Sequence, residues 1–232
     1  MQIRKNIYQI TGGMWGYLGN AYIVKYSEGY VMIDTGSPNA LDSILENLNY
    51  WDIDPNKITH LLLTHGHDDH LGGAKYFKEE LGAKIIIGKE DVRMLEEGNL
   101  GEDSPCINHT MPPTTADILI SEDCFLEIGN LVFTVITTPG HTNGSLVYLI
   151  HLDNESILFP GDTFYVEGNQ GELILSGWKG DLTYDSKKLG ESLKKIYTPR
   201  YKITLTLAGH GIPRFGPDSI QEAYASYLKN DR

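Results

Sequence analysis

Short apolar runs separated by glycine-containing turns recur along the whole chain, and this pattern is typical of β-strands. Two of the runs, residues 58–63 and 203–207, are interpreted as buried strands, and each leads into a segment rich in histidine and glycine. The predicted strands are residues 3–8, 21–26, 30–33, 58–63, 84–87, 125–128, 131–137, 145–151, 156–159 and 203–207.

Apolar residues at helical spacing alternate with these strands. Pro38 opens one helical pattern, which continues through Leu41, Ile44 and Leu48. Further helices are predicted at residues 71–81, 90–96, 186–197 and 217–228. Because strands and helices mix in both halves of the chain, the fold class is α/β or α+β.

Residues 97–117 show no clear period and contain several prolines and glycines. An aperiodic stretch of this length is uncommon in a compact domain and often has a function. Two interpretations stay open, a lid that faces the substrate and a plain surface loop.

The two halves of the chain share a weak similarity. The segment Lys-Ile-Thr occurs at residues 57–59 and again at 202–204, and each copy opens a strand that ends in His-Gly, at His65 and His210. Chance could produce so few matches. The alternative is two related half-domains, whose strand-end loops would meet at one rim.

Composition narrows the function classes. The 232 residues carry a net charge of −12 without a dense Lys/Arg run, which disfavours nucleic acid as a partner. The two cysteines, Cys106 and Cys124, are too few for a disulfide framework and fit a reducing compartment. No apolar run approaches the roughly 18 residues of a membrane helix, and the N-terminus lacks an apolar signal region, so we expect a cytoplasmic protein without a membrane partner.

The segment Thr-His-Gly-His-Asp-Asp-His at residues 64–70 is the strongest chemical signal. His65 and His67 are two residues apart, so both imidazoles point the same way in an extended loop. Asp69 and His70 follow at once. Imidazoles and carboxylates crowded in this way are typical of a divalent-cation site, because the cation offsets their charge and needs deprotonated ligands.

Three later turns carry similar residues next to glycine: His141 in T-P-G-H-T, Asp162 in P-G-D-T and His210 in G-H-G. Five histidines and two aspartates exceed one tetrahedral site, and they suit two metals roughly 3.5–4 Å apart. Histidine and aspartate ligands without cysteine favour zinc, with iron and manganese as alternatives. His60 and His151 are interpreted as packing or surface residues, and the role of His109 stays open.

The pattern H-x-H-x-D-H at residues 65–70 resembles the signature of the metallo-β-lactamase superfamily. Asp34, His141, Asp162 and His210 fall in the family's order, so the resemblance covers residues 22–211. It implies a four-layer αββα sandwich with the metals at one edge. The chain is then a single domain, residues 1–232, with half-domains of roughly 1–115 and 116–232.

The resemblance also implies roles for these residues. His65, His67 and His141 would bind the first metal, and Asp69, His70 and His210 the second. Asp162 would bridge both metals, Asp34 would hydrogen-bond a ligand and orient it, and Asp69 could also handle a proton. Two cations lower the pKa of a shared water toward ~7, so hydroxide would attack a carbonyl or phosphorus centre.

The substrate class follows from comparison within the family. A carboxylate at Asp162 argues against true β-lactamases, and a histidine at position 67 argues against flavodiiron-type redox members. Residues 138–145 are most similar to glyoxalase II-like hydrolases, although the helical domain that binds glutathione there is expected to be absent. We therefore expect a dinuclear hydrolase of a small thioester or lactone. The alternatives are a mononuclear-iron, persulfide dioxygenase-like oxidoreductase and a phosphodiesterase or nuclease.

A small-molecule substrate is expected to lie between three segments: the loop at residues 12–20, the 97–117 segment and the residues after Asp162. The candidate substrate-binding side chains are Trp15, Tyr17, Tyr165 and Trp178. Tyr165 or Tyr184 could serve as the tyrosine that acyl-homoserine lactonases use near their metals, although either could equally be a packing aromatic. A homodimer is a further expectation.

Overall fold

Two β-sheets face each other, and helices cover the outer side of each sheet. The computed structural model describes residues 1–12, 18–168, 173–197 and 201–230. Within these residues the first sheet is formed by the chain up to Ile120, and the second by the chain from Cys124 onward.

The first sheet has its strands in chain order, antiparallel from β1 to β4 and parallel from β4 to β7. These strands are β1 (Gln2–Arg4), β2 (Ile7–Thr11), β3 (Ala21–Lys25), β4 (Tyr30–Ile33), β5 (Ile58–Leu62), β6 (Lys84–Gly88) and β7 (Ile118–Ile120).

The remaining strands are β8 (Cys124–Ile128), β9 (Leu131–Thr137), β10 (Leu146–Leu152), β11 (Glu155–Phe159), β12 (Phe164–Glu167), β13 (Leu173–Ser176), β14 (Leu205–Thr206) and β15 (Arg214–Phe215). The second sheet has the order β15-β14-β11-β10-β9-β8, and only the β11–β14 pair is parallel. Strands β12 and β13 form a separate antiparallel pair beside it.

The helices divide between the two sheets. On the first sheet lie α1 (Leu41–Tyr50), α2 (Asp68–Leu71), α3 (Ala74–Glu79) and α4 (Val92–Glu97); on the second lie α5 (Ser186–Ile196) and α6 (Ser219–Asn230). The carboxylate of Asp185 accepts a hydrogen bond from the backbone N–H of Lys188 and so caps the start of α5.

Three apolar clusters separate the four layers. Side chains alternate between the two faces of each strand, so Leu61 packs against the first-sheet helices while Leu62 packs between the sheets. In the second sheet, Tyr148 packs between the sheets while Val147 packs against α5 and α6. The fold is therefore the αββα sandwich that the family resemblance implied.

Most predicted elements are confirmed, with differences where segments are short. The predicted strand at residues 3–8 is two antiparallel strands, β1 and β2. The predicted helix at 71–81 begins at Ala74 in the structure, and the shorter helix α2 precedes it. Strands β7, β12, β13 and β15 were not predicted, because two to four residues are too few to show a period.

Strand β7 pairs with β6, so the first sheet extends to Ile120, beyond the boundary near residue 115 that the sequence suggested. Within the described residues, each helix is too short or too polar to cross a lipid bilayer.

Candidate metal centre

The candidate ligands all follow the C-terminal ends of strands at one edge of the sandwich. In the first sheet, Asp34 follows β4, and residues 65–70 follow β5. In the second sheet, turns after β9, β11 and β14 present the other three, which are His141, Asp162 and His210. The backbone N–H of Leu146 donates to the carbonyl of Thr64 (2.7 Å) and so ties the two edges together.

Three imidazoles form what we call the first donor group, His65, His67 and His141. Nδ1 of His67 lies 3.0 Å from Nε2 of His65 and 3.1 Å from Nε2 of His141. The three side chains are buried, and one nitrogen from each lies within 4.8 Å of the others. Three converging nitrogens are a common ligand set for zinc.

A second donor group consists of Asp69, His70 and His210, and its three ligand atoms also lie within 4.8 Å of one another. Oδ2 of Asp69 is 3.1 Å from Nε2 of His210 and 3.6 Å from Nε2 of His70. This group therefore combines one carboxylate with two imidazoles.

The carboxylate of Asp162 lies between the two groups. Its Oδ2 is 3.9 Å from Nε2 of His65, 3.5 Å from that of His141 and 3.4 Å from that of His210. Its Oδ1 is 3.3 Å from Nε2 of His70. One carboxylate thus faces histidines of both groups, which is the arrangement a bridging ligand requires.

The donor atoms fit a cation better than they fit one another. Nε2 of His70 and Oδ1 of Asp162 are buried and have no hydrogen-bond partner among the described residues. Such atoms are costly unless something satisfies them, and a divalent cation would satisfy both. Gly209 keeps the space open, because a Cβ there would overlap Oδ1 of Asp162.

Asp34 orients one histidine directly and another through a threonine. Its Oδ2 accepts from Nδ1–H of His70 (2.8 Å) and from the hydroxyl of Thr64 (2.7 Å). Because that hydroxyl donates to Asp34, its oxygen accepts from Nδ1–H of His65 at 3.0 Å. Both imidazoles then present the lone pair of Nε2 to the site.

The other two histidines of the first donor group are oriented by the loop before α5. Nε2–H of His67 donates to Oδ2 of the buried Asp181 (2.8 Å), which leaves Nδ1 facing the site. Nδ1–H of His141 donates to the backbone carbonyl of Trp178 at 3.0 Å. Asp181 carries no sequence signal, since it lies far along the chain in a polar segment without a motif.

The pKa values of the candidate histidines are shifted in different directions. Burial, reinforced by neighbouring histidines, holds the pKa of His65 well below its usual value and lowers the pKa of His141 to about 4. Burial opposes protonation of His210 as well, but the carboxylates of Asp162 and Asp69 outweigh it and raise the pKa of that imidazole to about 9. A cation that binds at His210 near neutral pH must therefore displace a proton.

Another buried carboxylate, that of Asp91, joins the ligand loops of the two sheets. It accepts from the backbone N–H of Gly66 (2.9 Å), from the backbone N–H of Gly144 (2.7 Å) and from the hydroxyl of Thr142 (2.6 Å). Burial raises the pKa of Asp91 to about 6, although these hydrogen bonds oppose the rise. Gly66 lies between His65 and His67, and Thr142 follows His141, so Asp91 ties together the loops of the first donor group.

A cavity of about 600 Å³ opens over the two donor groups. Tyr165 and Trp178 line it, and the hydroxyl of Tyr165 donates to Oδ2 of Asp162 at 3.0 Å. The 97–117 segment also contributes to its wall, through Leu100, Cys106 and His109. That segment faces the cavity, as the lid interpretation requires.

The remaining predicted residues fall into three sets. Trp15 and Tyr17 lie outside the described residues. Tyr184 packs against the apolar cluster beneath α5 and α6, away from the cavity lining. His60 and His151 lie on β5 and β10, where their Nδ1 atoms pair with the hydroxyls of Thr59 and Ser156, and neither belongs to a donor group.

Comparison with known proteins agrees with this architecture. Among solved structures, a subclass B3 metallo-beta-lactamase of Bradyrhizobium japonicum superimposes with a TM-score of 0.81, covering 99% of this chain and 90% of that one at 23% identity. At that identity the likeness shows the fold alone.

Sequence relatives include a probable metallo-hydrolase of Bacillus subtilis, 28% identical over 65% of this chain and 67% of that protein. A hydroxyacylglutathione hydrolase of Erythrobacter litoralis is 32% identical over 48% of this chain, and the match spans only 36% of that hydrolase. The family model described as the metallo-beta-lactamase superfamily matches residues 14–210. The chain therefore belongs to the metallo-beta-lactamase superfamily of metal-dependent hydrolases.

Proposed function

We propose that this protein hydrolyses a small ester-like substrate, a thioester or a lactone, with two divalent metal ions. The observation that carries the proposal is the position of Asp162, whose two oxygens face histidines of both donor groups. A single metal would need only one of the groups. Two groups that share a carboxylate are the arrangement of a dinuclear hydrolytic site.

The donor set favours zinc. Five imidazoles and two carboxylates, without a thiolate, suit zinc and leave iron and manganese as alternatives. Four of the five imidazoles have their second nitrogen hydrogen-bonded to an oxygen, which fixes the nitrogen that faces the site.

Metal ions held here would supply a water-derived nucleophile at neutral pH and would polarise a substrate carbonyl. The protein's own residues do the rest. Asp162 and Asp69 place negative charge beside the reacting centre, and Asp69 lines the cavity, where it can hold a proton that leaves the attacking water. The hydroxyl of Tyr165 and the indole of Trp178 form the adjoining wall and position the substrate.

The size of the cavity supports a small-molecule substrate, because about 600 Å³ falls within the range typical of such sites. The name of the hydroxyacylglutathione hydrolases, which are thioester hydrolases, supports the choice of bond. Those relatives are longer than this chain, so their glutathione specificity is not part of the proposal. β-Lactams belong in the test because the superimposed structure is a metallo-beta-lactamase.

The test combines metal analysis with a substrate panel. Protein purified without chelator should contain about two metal ions per chain, and it should hydrolyse a thioester or a lactone faster than a phosphodiester or a β-lactam. His67→Ala should abolish this turnover, while His151→Ala, the matched control on β10, should retain it. One tightly held iron together with oxygen consumption on a persulfide would instead establish the oxidoreductase alternative.

A further inference from the structure

The cavity walls beyond the candidate ligands carry information about the substrate, provided that the proposed hydrolytic function holds. Leu100, Tyr165 and Trp178 give one part of the wall an apolar, aromatic character. The charged part of the wall comes from Asp68 and Glu167, which lie on different elements, α2 and β12.

Asp68 is buried at the edge of the cavity, and its Oδ1 lies 3.1 Å from Nδ1 of His109. The carboxylate of Asp68 thus lies against the one histidine of the described lining that is not a candidate ligand. Glu167, exposed at the end of β12, also lines the cavity and adds a carboxylate. The walls therefore have no net positive charge to offer a substrate away from the metal position.

Among the described residues that line the cavity, there is neither lysine nor arginine. The described wall therefore offers a substrate no permanently cationic side chain.

The cavity thus has two regions that differ in charge, the donor groups that would hold cations and a wall that carries carboxylates. Cations at the two donor groups would attract the electron-rich carbonyl that reacts. A carboxylate or phosphate elsewhere on the same substrate would meet the exposed carboxylate of Glu167 and no lysine or arginine of the described lining. Like charges brought together in this way reject a ligand. The net charge of −12 adds to the repulsion during approach.

We propose that the cavity selects esters whose non-reacting groups are uncharged or amine-bearing, and discriminates against acidic ones. A neutral lactone or a thioester of an uncharged thiol fits this class. Thioesters of acidic thiols, phosphodiesters and β-lactam carboxylates fall outside it.

The test uses acetyl thioesters of three thiols matched in size: thiocholine (cationic), 3,3-dimethylbutanethiol (neutral) and 3-mercaptopropionate (anionic). A second pair, butanoyl and succinyl thioesters of one neutral thiol, places the negative charge on the acyl side. Each kcat/KM is divided by the rate of hydroxide-catalysed hydrolysis of the same ester, which removes differences in intrinsic reactivity.

For the wild-type enzyme we expect the neutral and cationic esters to exceed the anionic ones by about tenfold in normalised kcat/KM, with the ratio shrinking as salt is added. Glu167→Gln should lower the ratio of neutral to anionic esters about threefold, as expected for one exposed charge. Glu167→Lys should lower this ratio further. Glu127→Gln, an exposed substitution on β8 outside the cavity lining, is the matched control and should leave the ratio unchanged.

The outcomes separate the two proposals. If neither these thioesters nor a lactone is hydrolysed, the proposed function fails. If the anionic esters are hydrolysed as fast as the neutral ones or faster, or if Glu167→Lys does not change the ratio, hydrolysis stands and the charge selection is wrong.

Discussion

The two sheets contribute to one site in different ways. The first sheet delivers four candidate ligands from one segment, residues 65–70, which follows β5 and runs into α2. The second sheet delivers three from separate turns, at His141, Asp162 and His210. A motif that is contiguous in sequence therefore describes only half of the site, and the other half is assembled by tertiary structure.

The contrast is sharpest at two aspartates that follow equivalent strands. Asp34 follows β4, which runs parallel to β5, and Asp162 follows β11, which runs parallel to β14. Asp34 itself takes the left-handed conformation (φ 54°), whereas Gly161 takes it (φ 52°) just before Asp162. With the turn placed differently, Asp34 contacts Thr64 and the Nδ1 of His70, which faces away from the donor groups, while Asp162 faces those groups directly.

The largest expected effect on kcat/KM comes from replacing each of these two aspartates in turn by alanine. Asp162→Ala should lower kcat/KM by about 1000-fold or more, because it removes the shared carboxylate and several kcal/mol of stabilisation that depends on the metals. Asp34→Ala should cost about 10- to 100-fold, the usual effect of losing a residue that orients a ligand. Steady-state kinetics with circular dichroism as a folding control measure both, and equal losses would remove the distinction between the two positions.

Asp181→Asn probes the support that the second half of the chain gives to a histidine of the first. An amide oxygen can still accept from Nε2–H of His67, but without the negative charge that strengthens this hydrogen bond. Affinity for the metal at the first donor group should therefore fall about 10- to 100-fold. Titration of the metal-free protein with Zn²⁺ should show one weakened site and one unchanged site. Uniform weakening of both sites would indicate a general structural role instead.

Asp91→Asn tests the connection between the two halves. The substitution should leave one of the three donors to Asp91 without an acceptor, and a buried group left unsatisfied costs about 1–3 kcal/mol. We expect a lower free energy of unfolding and a few-fold drop in kcat at saturating metal. Asp123→Asn, on the exposed surface, is the matched control; an equal loss of stability there would argue against a specific role for Asp91.

The smallest effect is expected at a histidine that shares a strand with the motif but not its chemistry. His60 lies on β5, half-buried, with its Nδ1 beside the hydroxyl of Thr59. His60→Ala should change kcat/KM by less than about twofold and stability by about 0.5 kcal/mol, as at most surface sites. A large loss of activity would show that residues before the loop also contribute to catalysis.

The sequence predicts those parts of the molecule whose signals are local. Buried strands such as β5 and β10 are visible in the sequence as apolar runs. Residues 65–70 form a motif that is typical of metal binding. Asp181 and Asp91 carry no such signal, since each acquires its partners only when distant loops pack together. Strands β12 and β13, which hold Tyr165 beside Asp162, are likewise too short to be periodic.

Each donor group draws its members from both sheets, and this has a consequence for folding. A cation held by His67 and His141 would cross-link positions 74 residues apart in the chain. Closing a loop of that length is entropically costly, so most of the binding energy would appear as stability of the assembled sandwich rather than of either half. With free metal at 100 times its dissociation constant, the gain is about 2.7 kcal/mol per site. The concentration of free metal would then determine the fraction of the protein that is folded as well as its rate of turnover.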